Sequence, residues 1–502
     1  MNFSLFPQPC STREQEKNGA RPPLAAIAAI AFAFAIILAI YAYLIVDRKY
    51  SDGLVSEFRF VSKQYLFFPS AMLLLAFVVG VFLAPRLRKI FYLAISLSAL
   101  FCIVPWRGEY VLGLKRFDPA LLVKPLFLLG WALLFFGITR LPLRRWIILL
   151  ILLIPWLWLI DVRMSWIPGD LFIFLTAGGL DRHSRVILFG LLFHTLLFFA
   201  EEHTLPPEHR GLGNYLLYCF FLPFTFFPIL QPIPYSLFMT SFLKRKQEDV
   251  AFGGLLLGGL ALLYAVLLFG LRGETAIFND EAKSAQNWRA FLDGTTIAGL
   301  WQMVAIRFLQ FYLGIAAQLF FAIGLLRVLG FDLLSGFRKP FLSRNFLEFW
   351  ERWNHYMKDA LVILFFQPVL SRLRGRVSNT IALICAGASA LFIGHLCVHS
   401  MAHQIITTEH GLSPNNVLYT FTRGLIMGSL TIITLLLLFH RKRFGHGDDN
   451  MPLGRRILRD GWKTVLLFIF IACVNMVFRA GMDNRIPLED AIALIPRLFG
   501  FK

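Results

Sequence analysis

The residues from Leu24 to Val46 read LAAIAAIAFAFAIILAIYAYLIV, a run that contains no charged side chain. A helix that crosses a bilayer needs about 20 mostly apolar residues, because its backbone polar groups must bond to one another inside hydrocarbon. This run has the required length. It is too long for a signal peptide, and the residues after it make a poor cleavage site. It therefore predicts a membrane-spanning helix.

The composition of the whole chain agrees with this first run. Of the 502 residues, 57% are apolar and only 16% are charged, whereas soluble globular proteins carry about 25% charged residues. These values exclude a soluble enzyme, a disordered chain and a fibrous repeat. Lys and Arg exceed Asp and Glu by 49 to 30. The basic residues fall in short clusters between apolar runs, which indicates membrane topology and predicts no nucleic-acid partner.

Further apolar runs predict an all-α, polytopic transmembrane protein with about eleven spanning helices plus one or two re-entrant segments. A weaker run at 359–371 is too short to cross. The other runs lie near 65–84, 90–106, 120–139, 146–160, 186–200, 213–240, 251–271, 299–329, 378–403, 417–439 and 461–479.

Basic clusters at 86–89 and 140–145, together with the basic N-terminal segment, predict a cytoplasmic N-terminus by the positive-inside rule. One run interrupts the alternation. Residues 213–240 include four prolines, at positions 223, 228, 232 and 234. Because proline breaks a helix interior, we expect a broken or re-entrant segment there, buried in protein or lining a cavity.

Three histidines end one of the long apolar runs. His395, His399 and His403 recur every four residues, so they share one face of a helix. His395 and His399 could chelate a metal, but no HExxH glutamate or nearby Asp completes a ligand shell, and the six Cys form no CxxC pair. We therefore expect no metal site and no disulfide framework, and we interpret the histidines as lining a water-filled pathway.

A tryptophan-rich stretch, FLEFWERW at residues 346–353, has apolar side chains at helical spacing and charged side chains opposite. From composition alone this pattern is typical of an amphipathic helix at the cytoplasmic interface, with Trp350 and Trp353 anchored among lipid headgroups.

The order of motifs around this stretch resembles the membrane-bound O-acyltransferase family, and most of all its bacterial members that acylate cell-envelope polymers. The resemblance covers about residues 215 to 440, and it includes a His near the end of a later span. The other matching segments are FFPILQPI (226–233), FYLG (311–314), AIGLLRVLGF (322–331), FRKPF (337–341) and FWERWN (349–354).

The resemblance implies acyl transfer from a thioester to a hydroxyl, with His399 as the general base and Asn354 holding the acyl carbonyl or the acceptor. An imidazole with a pKa near 6.5 suits proton removal from a hydroxyl. His395 and His355 are the alternatives for the base. The polymer-acylating members have His where this chain has Asn354, and their Gly-Leu-Trp-His-Gly element is replaced here by a segment that begins at Gly394.

The same resemblance implies a donor-binding region at the start of the tryptophan-rich stretch, formed by Arg338, Lys339, Arg344, Arg352 and Trp353. From the residues themselves, control of membrane topology is an equal explanation for the basic ones. The co-substrate would be an acyl-CoA or acyl-carrier thioester, with no other cofactor. The acceptor would be an envelope glycan or lipid.

Three regions are expected on this basis: N-terminal transmembrane helices at 1–212, a catalytic core at 213–440 that encloses a central chamber, and a C-terminal loop and last transmembrane helix at 441–502. The protein would lie in a bacterial inner membrane, and a periplasmic acyltransferase partner is a further expectation. The main alternative is a transporter or flippase for a lipid-linked envelope precursor. Such proteins often have two matching halves with interrupted spans, which this sequence lacks.

Overall fold

The structure is a computed structural model, and it describes most of the chain in separate segments. These are residues 24–46, 63–103, 123–144, 147–148, 151–152, 182–221, 232–242, 247–271, 290, 292–401, 414–443, 460–474 and 492–501. Within them the secondary structure is helical and no β-strand is formed. The all-α prediction is therefore confirmed for the described part of the chain.

The α-helices of the described segments vary widely in length. In chain order they are α1 (Leu24–Val46), α2 (Lys63–Phe82), α3 (Pro85–Ile103), α4 (Val123–Thr139), α5 (Arg182–Glu201), α6 (Leu212–Phe220), α7 (Tyr235–Ser241), α8 (Gln247–Gly270), α9 (Ile297–Val328), α10 (Phe346–Trp353), α11 (His355–Leu361), α12 (Gln367–Leu373), α13 (Asn379–Ala388), α14 (Pro414–Arg443), α15 (460–474) and α16 (Leu494–Leu498). Two π-helical segments, Val362–Phe366 and Ser389–Met401, continue α11 and α13.

Four helices of the described chain are long and apolar enough to cross a membrane, at Asp249–Leu268, Ile297–Val328, Asn379–Leu396 and Phe421–His440. Each coincides with a run that the sequence predicts to be a span. Shorter apolar helices occur at Leu24–Ile40, Ser70–Phe82 and Pro125–Thr139. The prediction of eleven crossings around a central chamber goes further than these helices and stays a prediction.

The described parts of the proline-containing run at 213–240 belong to two separate helices, which agrees with the predicted break in this run. Helix α6 ends at Phe220, and Pro232 and Pro234 lie in extended backbone that leads into α7. Pro223 and Pro228 lie outside the described residues. The re-entrant course of the segment stays a prediction.

Helices α8 and α9 approach each other closely. A Cβ atom added to Gly254 would lie 2.6 Å from the carbonyl oxygen of Gly324, and one added to Gly324 would lie 2.9 Å from that of Gly254. Two backbones can approach this closely only where neither residue has a side chain, a common packing mode of membrane helices.

A similar contact holds the histidine-bearing helix in place. A Cβ atom on Gly424 of α14 would lie 2.5 Å from the Leu396 side chain, and one on Gly428 would lie 2.7 Å from the Phe392 ring. These glycines are four residues apart, so they form one flat face of α14 on which the π-helix Ser389–Met401 packs.

Candidate functional site

Two asparagines determine where the tryptophan-rich helix begins and ends. The side-chain oxygen of Asn345 accepts a hydrogen bond from the Glu348 backbone N–H at 2.8 Å and so caps α10. The backbone leaves helical geometry at Asn354, whose own side-chain oxygen accepts from the Met357 N–H at 3.2 Å and caps α11. Asn354 therefore lies at the corner between two helices, with its amide N–H groups not used in the cap.

Trp350, on α10, joins that helix to two others. Its indole N–H donates to the Thr431 hydroxyl of α14 at 3.0 Å, and its ring meets the His395 ring edge-on, with centroids 5.2 Å apart. Thr431 in turn donates to the Met427 carbonyl oxygen at 2.7 Å. The predicted tryptophan-rich helix and the predicted histidine-bearing helix are thus in direct contact.

The helix that follows Asn354 also packs against the histidine-bearing segment. A Cβ atom on Gly394 would lie 2.6 Å from the Phe365 ring and 2.8 Å from the Leu361 side chain. Glycine directly before His395 therefore allows α11 and its π-helical continuation to approach. As a result, the elements that carry Asn354 and His395 lie side by side.

The structure describes the three histidines of the predicted face to different extents. The His395 side chain is half-buried beside Trp350. His399 lies in the same π-helix, Ser389–Met401, but its side chain is outside the described part, as is the whole of His403. The role of His399 as the base stays a prediction.

His355, the first residue of α11, is buried, with 4% of its surface exposed. Its Nδ1 lies 3.3 Å from the Gly336 carbonyl oxygen, and its ring packs on Tyr356. Burial, aided by the charge of Arg338, lowers the pKa of His355 to about 3. An imidazole with so low a pKa is a weak base at neutral pH, which favours a structural role for His355.

Two of the predicted donor-binding arginines are in ion pairs. Glu348 accepts from Arg352 at 2.7 Å and from Arg344 at 3.4 Å, and Arg344 also contacts Asp460 of α15 at 2.8 Å. This network holds α10 against α15.

The remaining predicted donor-binding residues divide into exposed and buried ones. Arg338 and Lys339 are exposed. Trp353 is buried, with its ring 4.8 Å from Phe337 and 5.1 Å from Phe349 between centroids. Trp353 therefore packs in the aromatic core, whereas Arg338 and Lys339 could reach a soluble ligand.

Thr431 and Arg423 of α14 are site residues that the sequence analysis did not identify. Arg423 is half-buried within an apolar helix and is near enough for its charge to act on His395. A charged side chain inside an apolar run is the sequence signal that identifies Arg423 as a functional candidate. Thr431 has no such signal, because a lone hydroxyl in an apolar helix is common.

Metal ligation has no support within the described segments, where no group of three or more His, Cys, Asp or Glu side chains could hold an ion. Comparison of the chain with profiles of protein families and with curated proteins finds no match. A functional assignment therefore depends on the motifs quoted above and on the contacts around Trp350 and His395.

Proposed function

We propose that this protein is a membrane-embedded O-acyltransferase, which moves a short acyl group from a thioester donor to a hydroxyl of a cell-envelope polysaccharide or lipid. The observation that carries the proposal is the contact between Trp350 and His395. It joins two of the segments that carry the resemblance to membrane-bound O-acyltransferases, although α11, α12 and α13 lie between them in sequence.

The proposed reaction begins at the acceptor hydroxyl. A histidine of the π-helix, His399 or His395, takes the hydroxyl proton as the oxygen attacks the thioester carbonyl carbon. The C–S bond then breaks, and the thiol leaves with a proton. Asn354 would donate an amide N–H to the carbonyl oxygen as negative charge develops on it, which is compatible with a cap that uses only the Oδ1 atom of Asn354.

Donor binding is assigned to the exposed basic residues next to the site. Arg338 and Lys339 precede α10, and the Arg338 backbone N–H donates to the Arg352 carbonyl oxygen at 2.9 Å, which fixes this segment to the end of α10. The phosphates of an acyl-CoA or of an acyl-carrier prosthetic group would fit these cations. Arg344 and Arg352 would shape the region through their ion pairs with Glu348.

A membrane fold suits this reaction because the donor and the acceptor are on different sides. Acyl thioesters are made in the cytoplasm, while an envelope acceptor lies outside, so a chamber open to both faces would let the two meet. The proposal includes a multi-pass location in a bacterial inner membrane with a cytoplasmic N-terminus, and transfer through a periplasmic partner protein is compatible with it.

A labelled acyl donor supplied to membranes tests the proposal. With the wild-type chain, we expect label in an envelope lipid or polymer fraction, and with His399→Ala and His395→Ala combined, we expect it to be lost while the protein accumulates normally. Movement of a lipid-linked precursor without any transfer of label would instead indicate a transporter. Full label transfer by the double variant would contradict the proposed base.

A further inference from the structure

The end of α12 and the tight turn that joins it to α13 carry three arginines in five residues. Arg372, Arg374 and Arg376 are all exposed. The turn lies at one end of the candidate membrane span Asn379–Leu396. None of these residues belongs to the site around Trp350 and His395.

Backbone hydrogen bonds fix the shape of this turn. The Arg374 N–H donates to the Leu370 carbonyl oxygen at 2.9 Å, and the Arg376 and Val377 N–H groups both donate to the Leu373 carbonyl oxygen. Gly375 has a φ of +78°, a left-handed conformation that glycine adopts without strain, and a Cβ atom there would meet nothing within 4 Å. The turn is therefore ordered and open to its surroundings.

The positive charge of the turn is not neutralised within the described part of the chain. The ion pairs there use other cations, such as Arg140, Arg344 and Arg352. Helix α13 begins at this turn, where the Ser378 hydroxyl accepts from the Ile381 N–H at 3.3 Å. The N-terminus of the helix adds a partial positive charge to that of the arginines. An anion near this turn would be attracted by three exposed arginines and by a helix N-terminus.

An apolar strip begins where the arginines end. Ile381 and Ile384 are three residues apart, so they lie on one face of α13, and Val377 lies just before the N-cap of that helix. Each of the three exposes at least 38% of its surface. Because this helix is a candidate membrane span, that face is suited to hydrocarbon chains. Cationic groups directly beside a hydrocarbon-facing strip match an amphiphile with an anionic head.

We propose that the turn Arg372–Arg376 and the strip Val377–Ile384 form a binding site for one anionic phospholipid. The phosphate would bind to the arginines and the acyl chains would lie along the strip. A zwitterionic lipid would bind more weakly, because the ammonium group of its head opposes the arginines.

Native mass spectrometry of the purified full chain in detergent tests this proposal, with phosphatidylglycerol and phosphatidylcholine added separately. We expect phosphatidylglycerol to be retained preferentially by the wild type. Each arginine removed should weaken its retention about fivefold, so Arg374→Gln combined with Arg376→Gln should weaken it about 25-fold. The matched control combines Arg86→Gln with Arg144→Gln, two exposed cations elsewhere in the described chain.

The control variant should retain the lipid as the wild type does. Added salt should weaken retention by the wild type more than by the turn variant, since salt screens exposed charges. Equal loss in both variants would show a general charge effect and overturn the proposal, as would no loss in either. Displacement of the lipid by glycerol phosphate at equal concentration would also overturn it, because the acyl chains would then contribute nothing.

Discussion

Trp350 uses one side chain for two different contacts. Its N–H is held by Thr431, and its ring edge meets His395. An indole placed between the two helices must have its N–H paired, because an unpaired buried donor costs about 1 to 3 kcal/mol. The Thr431 hydroxyl therefore fixes the orientation of the ring that touches the histidine.

Replacement of Thr431 by valine tests this contact. We expect Thr431→Val to lower the free energy of unfolding by about 1 kcal/mol, since the indole N–H loses its acceptor. Thr434→Val is the matched control, because the Thr434 hydroxyl bonds only to the Leu430 carbonyl oxygen of its own helix. Thermal unfolding of both variants in detergent measures the difference, and an equal effect would contradict the role of Thr431.

The pH dependence of stability tests the burial of His355. The pKa of this residue is about 3 in the folded chain and near 6.5 in the unfolded chain. As the pH falls below about 6.5, only the unfolded chain takes up the proton, so the free energy of unfolding falls by about 1.4 kcal/mol per pH unit. The stability that depends on a neutral His355 is therefore fully present above about pH 6.5, and it is lost progressively as the pH falls towards 3.

His355→Gln removes this titration but keeps an N–H donor for Gly336. The melting temperature of the variant should fall less than that of the wild type between about pH 7.5 and about pH 5. Glu201 and other groups titrate in both proteins, so the comparison isolates His355. Identical pH profiles would show that the pKa of His355 is the same in the folded and unfolded chains, and they would contradict its lowering by burial.

The elements around the site include two π-helical segments that pack against each other. Proline has no backbone N–H, so Pro368 cannot donate a hydrogen bond to the carbonyl oxygen of residue 364. Just before it, the Gln367 N–H donates to the Val362 carbonyl oxygen, five residues back, which makes a wider helical turn. The wider winding at 362–366 faces the longer π-helix at Gly394. Such segments are rare and occur often at functional sites, which agrees with the histidines carried there.

The α8–α9 contact gives a test of helix packing. Gly254→Ala would place a methyl group against the Gly324 carbonyl and should destabilise the fold by about 1 to 3 kcal/mol. Gly259→Ala lies on the same helix where nothing is within 4 Å, so it should be neutral or slightly stabilising. The fraction of folded protein recovered after heating in detergent distinguishes the two, and equal recovery would contradict the close approach.

Hydropathy predicted the elements well where the signal is local. The runs at 251–271, 299–329, 378–403 and 417–439 each contain a helix long enough to span, because a span depends on its own composition. The π winding at Ser389–Met401 was not predicted, because it depends on a hydrogen-bond register that composition does not specify.

Across the whole molecule, the sequence predicted that the tryptophan-rich and histidine-bearing segments act together, but not which side chains meet. Trp350 was assigned to lipid headgroups from its amphipathic helix, and in the structure it contacts His395 and Thr431. Pairing across such separations depends on the packing of glycines at 394, 424 and 428. A single sequence does not encode that packing in any local pattern.

The topology of the molecule provides a further prediction. The predicted number of about eleven crossings, together with the predicted cytoplasmic N-terminus, would place the C-terminus on the outer side. Reporter fusions at the two ends should therefore report opposite sides of the membrane. Reporters on the same side would indicate an even number of crossings and would require the course of 213–240 to be revised.

The central claim is that a histidine of the π-helix and the Asn354 amide serve one acyl transfer to an envelope hydroxyl. Mass analysis of envelope glycans and lipids tests it most directly, in cells with the wild-type gene, without the gene, and with Asn354, His395 and His399 all replaced by alanine. We predict an O-acyl ester that is present only with the wild-type chain. The same ester at the same level in all three would contradict the claim.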